Sequence, residues 1–209
     1  IIFSAVLVSV VLFKNFLHSN VNVKAPQESA ASLWLTKVSQ TSWQNELRGS
    51  SKQKHLILTT LNKYYQFSRK DQAVLFSKFA LAPAIVEIRF IADIAYYVDL
   101  DKTFKLEAKG DKVLVIAPLL EFQRPNIDLR SLKFEVKQNG YFVDEEKLMA
   151  KLQAELPLHL HDDAILNLKE VREKSREELT EFLQSWFLKS DPLTPKMELI
   201  FSDELKLPN

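Results

Sequence analysis

The stretch Ala84–Val98, AIVEIRFIADIAYYV, decides the fold class of the chain. Its even positions, Ala84, Val86, Ile88, Phe90, Ala92, Ile94, Tyr96 and Val98, are apolar, while Glu87, Arg89 and Asp93 lie on the alternate face. Side chains alternate across a strand with a period of two, so the pattern is that of a half-buried β-strand; a helix would not sort these residues. Fifteen residues exceed the usual strand of about 5–6, and a bend or bulge is expected near Ala92. Upstream, His55–Leu61 and Ala73–Leu81 read as further strands, the second ended by Pro83.

Downstream, Thr103–Glu107 and Lys112–Ile116 flank Lys109-Gly110-Asp111, the pattern of a β-hairpin. Lys133–Lys137 and Tyr141–Val143 flank Asn139-Gly140, a dipeptide suited to the positive φ angles of a type I′ turn. Asp144 then offers a helix cap, with Glu145 and Glu146 favourably placed in the first turn and Leu148, Leu152 and Leu156 on one face up to Pro157. A second helix is expected from Asp162 or Asp163 to about Leu188, with the stripe Ile165, Leu168, Val171, Ser175, Leu179, Phe182, Leu183 and Trp186. Pro192 and Pro195 bound its exit, and Lys196–Ser202 should return as a closing strand. Two hairpins imply antiparallel pairing, so the expected fold is α+β: a twisted, mainly antiparallel sheet with two C-terminal helices on one face, plus an N-terminal transmembrane helix.

That last element rests on Ile1–Phe13, IIFSAVLVSVVLF, an unbroken run of apolar and small residues. A bilayer core requires about 20 residues, so residues 1–19 are expected to be a membrane anchor truncated at its start. No small-residue cleavage site follows the run, where Leu17-His18-Ser19-Asn20 stands. Orientation depends on charges at both flanks, of which Lys14 and Lys24 supply one. Residues 20–50 read as a linker and candidate juxtamembrane helix, and 51–209 as the soluble domain. Trp34 and Val38 share a helical face while Trp43 falls half a turn away, so this segment either meets the membrane interface or packs on the domain. Gly49-Ser50-Ser51 reads as a loop.

Composition excludes much chemistry. The chain's 209 residues include three glycines, Gly49, Gly110 and Gly140, so no dinucleotide-binding, phosphate-binding or nucleophile-elbow motif can be written. Cysteine is absent, which removes thiol nucleophiles, disulfides and Cys-ligated metals. Twenty-eight basic and 27 acidic residues leave a formal charge of +1, with no footprint for nucleic acid.

Several features of the chain resemble the bacterial family called domain of unknown function 4230. Tyr97-Val98-Asp99-Leu100 is similar to its valine-aspartate-leucine turn, and Gly110–Pro118 to its glycine-aspartate, strand and proline run. The charged C-terminal helix and a closing strand at Met197–Phe201 complete a likeness that covers Leu56 to Ser202. The resemblance implies an N-terminal anchor followed by one extracytoplasmic domain, and it brings no catalytic residue.

The densest group of titratable residues is His159-Leu160-His161-Asp162-Asp163. In a strand the two imidazoles would share a face and hold a divalent metal with an added carboxylate. In a loop before a helix they are solvated, with Asp162 or Asp163 as cap. His55 is the other imidazole outside the anchor flank, where His18 lies. The carboxylate pairs Glu145-Glu146, Asp162-Asp163 and Glu177-Glu178 fall on helices or caps, and Glu170 and Lys174 form a favourable helical ion pair. Tyr64, Tyr65, Phe67, Phe76 and Phe79 would either line an apolar-ligand pocket or fill a core. No catalytic, cofactor-binding or metal-binding residue is assigned. The expected function is a membrane-tethered envelope protein that binds or scaffolds a protein partner through its soluble domain. The alternatives are a metal-assisted hydrolase using His159 and His161, or a carrier of an apolar ligand.

Overall fold

The computed structural model describes residues 29–39, 43–51 and 54–206. The anchor expected at residues 1–19 lies outside them. No helix among the described residues is long and apolar enough to cross a membrane.

The fold is α+β with a mostly antiparallel sheet and one long C-terminal helix. Strand β1 (His55–Asp71) pairs antiparallel with the alternating stretch, which becomes β4 (Ala84–Asp99), in a register running from His55↔Asp99 to Asp71↔Ala84. All eight even-numbered apolar residues of Ala84–Val98 have no exposed surface. The other edge of β4 is taken in turn by β9 (Lys133–Gln138), β8 (Asn126–Ile127) and β7 (Glu121–Phe122), so β4 is hydrogen-bonded on both sides. The irregularity expected near Ala92 lies elsewhere. It falls in the partner strands: in β1 between Ile57 and Thr59, opposite Tyr97 and Tyr96, where one extra residue changes which parity of β1 faces the core, and in β9 between Val136 and Gln138, opposite Val86 and Ile85.

The segment Ala73–Leu81 is not one strand. It forms the two-residue strands β2 (Val74–Leu75) and β3 (Phe79–Ala80), because the chain must reverse here to connect the two long partners. The expected hairpin at Gly110 is present, joining β5 (Lys105–Lys109) to β6 (Lys112–Ala117), with Gly110 at φ 62°. The hairpin expected at Asn139-Gly140 is not. β9 pairs with β4 instead, and Tyr141-Phe142 is a turn leading directly into a helix.

That helix, α3 (Glu145–Ser190), is capped by the Asp144 side chain, which accepts from the Lys147 N–H at 2.9 Å. Its 46 residues would extend about 70 Å at 1.5 Å per residue. It replaces the two helices and intervening loop that Pro157 suggested. Pro157 is exposed, and the leucines on either side of it, Leu152, Leu156 and Leu160, are buried against the β1–β4 ribbon. One backbone bond is lost at the proline, but packing on both flanks holds the axis. The helix then returns through β10 (Met197–Phe201), which runs parallel to β6 rather than joining the main sheet.

Helices α1 (Ala30–Ser39) and α2 (Trp43–Ser51) fall within the segment read as linker and juxtamembrane helix, and α2 continues through the expected loop at Gly49–Ser51. Ala31, Trp34, Val38 and Leu47 are buried in the domain core. The half-turn mismatch between Trp34 and Trp43 is resolved by placing them on separate helices. All three tryptophans of the chain meet Phe187: ring centroids lie 5.1 Å away for Trp34, 5.3 Å for Trp43 and 4.9 Å for Trp186.

Phe187→Ala should therefore lower unfolding stability by about 3–5 kcal/mol and shift the intrinsic tryptophan emission to the red, since every fluorophore borders the lost ring. Glycine substitutions give a second check. A Cβ at residue 140 would lie 2.5 Å from the Ala84 nitrogen, whereas one at Gly49 meets nothing within 4 Å. Gly140→Ala should cost about 1–3 kcal/mol, and Gly49→Ala should gain about 0.5–1 kcal/mol, both read by denaturant melts.

Candidate functional site

A polar cluster is built where α3 crosses β1. Beyond Thr59, alternate residues of β1 point to the helix, which brings Lys63 and Tyr65 to one face. On α3, Asp163 and Asn167 share a face at helical spacing. Lys63 Nζ donates to both Asp163 carboxylate oxygens, at 2.7 and 2.9 Å. The Tyr65 hydroxyl donates to Asp163 Oδ2 at 2.5 Å, and Asn167 Nδ2 donates to the same oxygen at 2.8 Å. Tyr96, fully buried on β4, donates to the Ala164 carbonyl at 3.1 Å.

Burial pushes the Asp163 carboxyl up, but the hydrogen bonds from Lys63, Tyr65 and Asn167 and the lysine charge outweigh it and hold the group below the ordinary carboxylate range. Burial, then the bond to Asp163, raises the Tyr65 phenol well above its ordinary value. Burial and the Asp163 charge push Tyr96 up to about 12. The carboxylate is thus ionised and both phenols protonated at neutral pH. Each group satisfies its neighbour, and the cluster fastens α3 to the ribbon.

The sequence contained its signal as Lys63-x-Tyr65 at strand spacing and Asp163-x-x-x-Asn167 at helical spacing. The signal was hidden because the alternation past Leu61 mixes lysine and arginine with aromatics, and because Asp163 reads as a cap. Asp162 and Asp163 lie inside α3 and cap nothing.

The histidines are not brought together. His159 and His161 lie in α3, where residues two apart project about 200° from each other. His159 stacks on Phe67 of β1 (5.2 Å) and His161 meets Phe122 of β7 (5.3 Å), so they straddle the central strand. His55 stacks on Tyr97 at 4.1 Å. Among the described residues no group of three metal-ligating side chains converges. The aromatic set is divided as well. Tyr65 and Phe67 pack on Phe90 in the core, while Tyr64, Phe76 and Phe79 are exposed and line no common pocket with them.

A further network lies on the opposite face of the ribbon. Glu87, buried on that face, accepts from Gln66 Nε2 at 2.7 Å and pairs with Arg89 at 3.0 Å, while Lys137 bridges to Glu135 at 2.8 Å. It ties β1, β4 and β9 across their shared register. The chain matches no family model, no curated protein and no solved structure.

Asp163 lends itself to a direct test. Its side chain is 24% exposed, so removing the four charge-assisted hydrogen bonds from Lys63, Tyr65 and Asn167 by Asp163→Ala should cost about 2–3 kcal/mol after allowance for solvent screening. Because the folded-state pKa is depressed, this stabilisation is present above the unfolded carboxyl value of about 3.9. It is lost as pH falls through the lower folded value. Denaturant melts should show wild type and variant far apart at neutral pH and converging in acid.

Proposed function

We propose that the chain is a membrane-tethered scaffold that holds a binding surface at a distance from its anchor. The observation that carries this reading is the brace along α3. Its buried residues run from Leu148 to Phe187 and are covered first by the β1–β4 ribbon, then by β10, β6 and the N-terminal helices. A helix supported over that length is a stiff spacer, and the carboxylate of its Asp163 is engaged by Lys63, Tyr65 and Asn167. The apolar run Ile1–Phe13 precedes α1, which packs beside Phe187 at the C-terminal end of α3. Tethering confines a domain near its target, so a modest interface suffices when geometry permits contact. In this proposal the domain lies outside the cytoplasm and its partner in the envelope.

Whole chain should sediment with membranes and resist alkaline carbonate, while a chain beginning at Ser29 should remain soluble and unfold cooperatively, as α1 begins at Ala30. Replacing residues 1–19 with an unrelated membrane-spanning helix of the same orientation should restore membrane retention. Whole chain found in the soluble fraction would overturn the tether.

A further inference from the structure

The end of the ribbon farthest from the tryptophan cluster carries six exposed large apolar residues on two adjacent turns: Val74, Leu75, Phe76, Phe79, Tyr141 and Phe142. The turns are joined by the Tyr141 N–H, which donates to the Ala82 carbonyl at 3.3 Å. Phe76 is 81% exposed and Phe142 87%. An aromatic side chain carries about 200 Å², so these residues leave a sizeable apolar surface in water at one end of the molecule, the kind of feature that marks an interaction site.

Backbone conformation singles out the same place. The three non-glycine residues with positive φ among the described residues are Phe76 (49°), Ser77 (56°) and Phe142 (61°). Phe76-Ser77 occupies the centre of a tight turn closed by the Lys78 N–H donating to the Leu75 carbonyl at 3.1 Å. Two positive φ angles there make it a turn that favours Asn-Gly, and each left-handed residue with a side chain is strained. Neither ring is packed to compensate. Local strain that presents a phenyl ring to solvent is the kind of broken local rule found at functional sites.

The charges around the patch select its occupant. Lys70, Lys78, Lys147 and Lys151 form no ion pair among the described residues. Lys147 and Lys151 line a small groove of about 210 Å³ with Phe142. Asp71 and Asp144 line the same groove. Asp71, Asp144 and Glu145 accept from the backbone N–H groups of Gln72, Lys147 and Gly140, and Asp144, Glu145 and Glu146 face the positive N-terminal end of α3, so among the described residues the lysine ammonium groups are the charges left without a partner there. Aromatic apices rimmed by uncommitted lysines match the boundary between anionic headgroups and acyl chains. A fluid bilayer also conforms to protruding rings, whereas a protein partner must supply a cavity for each.

We propose that this tip inserts into the interface of a phospholipid bilayer: Phe76 and Phe142 enter the headgroup–acyl boundary, and Lys70, Lys78, Lys147 and Lys151 meet anionic headgroups. The site is distinct from the N-terminal tether, since Asp144 and Phe187 mark ends of α3 separated by roughly 65 Å. Taken with the tether proposed above, the tip is a second lipid contact of the chain, while its own insertion does not rest on that tether.

The absence of cysteine makes the test clean. Full-length chain carrying Phe76→Cys, labelled with an environment-sensitive fluorophore, is incorporated into lipid nanodiscs and mixed with phosphatidylcholine vesicles with and without phosphatidylglycerol. A blue-shifted emission quenched by spin-labelled lipid is expected, stronger with the anionic lipid, and none from the same label at Leu166→Cys on the exposed face of α3. The pair Phe76→Asn with Ser77→Gly should raise the melting temperature by relieving the turn, yet weaken vesicle association several-fold, which separates insertion from folding. The proposal is overturned if the label at residue 76 stays in water throughout. It is equally overturned if burial of the label depends on protein concentration without lipid, the mark of two copies meeting tip to tip. A failure of residues 1–19 to hold the nanodisc would count against the tether alone, because the vesicles still report on the tip.

Discussion

Everything in this fold depends on matching one helical stripe to one twisted ribbon. The residues of α3 buried along its length are Leu148, Leu152, Leu156, Leu160, Ala164, Asn167, Val171, Ser175, Leu179, Leu183 and Phe187. All steps but one are of four residues. Since 3.6 residues make a turn, a stripe stepping by four advances around the helix, by about 300° over this span. A flat surface could not cover it. The twisted sheet built around the long β1–β4 pair follows the first half of the stripe, and the sheet of β5, β6 and β10 with α1 takes over the second.

The hand-over is where the polar cluster lies. The boundary between the two apolar clusters falls between Leu160 and Ala164, immediately before the single step of three, Ala164 to Asn167. Asp163 stands beside that step and is held by Lys63, Tyr65 and Asn167. Apolar packing is non-directional and would tolerate a helix slipped along the ribbon. A carboxylate with three fixed donors does not, because a displaced partner leaves a half-buried charge unsatisfied. The cluster thus sets the register of α3, and its polar groups are consumed by that task.

The two ends of the molecule differ in how they treat aromatic residues. At one, three tryptophans enclose Phe187 and close the core. At the other, Phe76 and Phe142 are turned outward on strained backbone. The first arrangement follows from burial of apolar surface. The second opposes it, and its strain is maintained by the ribbon on one side and the capped start of α3 on the other. A braced helix with an exposed apolar end is the geometry on which the proposed lipid contact rests.

The sequence by itself determined the local elements whose signal is contained in a short window. Alternation at Ala84–Val98 specified a strand buried on one face, Gly110 the hairpin, Asp144 the cap and Met197–Phe201 the closing strand, because each depends on near neighbours and on a period of two or 3.6. Tertiary packing decided the rest. Pro157 marks a helix end locally, yet leucines on both sides bind one ribbon and the helix continues. Asn139-Gly140 favours a hairpin, yet β9 finds its partner in the distant β4 and Gly140 seats against Ala84. His159 and His161 look paired in the sequence, but a helix sends them to opposite flanks of β4. Lys63 and Asp163, a hundred residues apart, carried no joint signal, since only the twist of the ribbon and the winding of the stripe place them in contact.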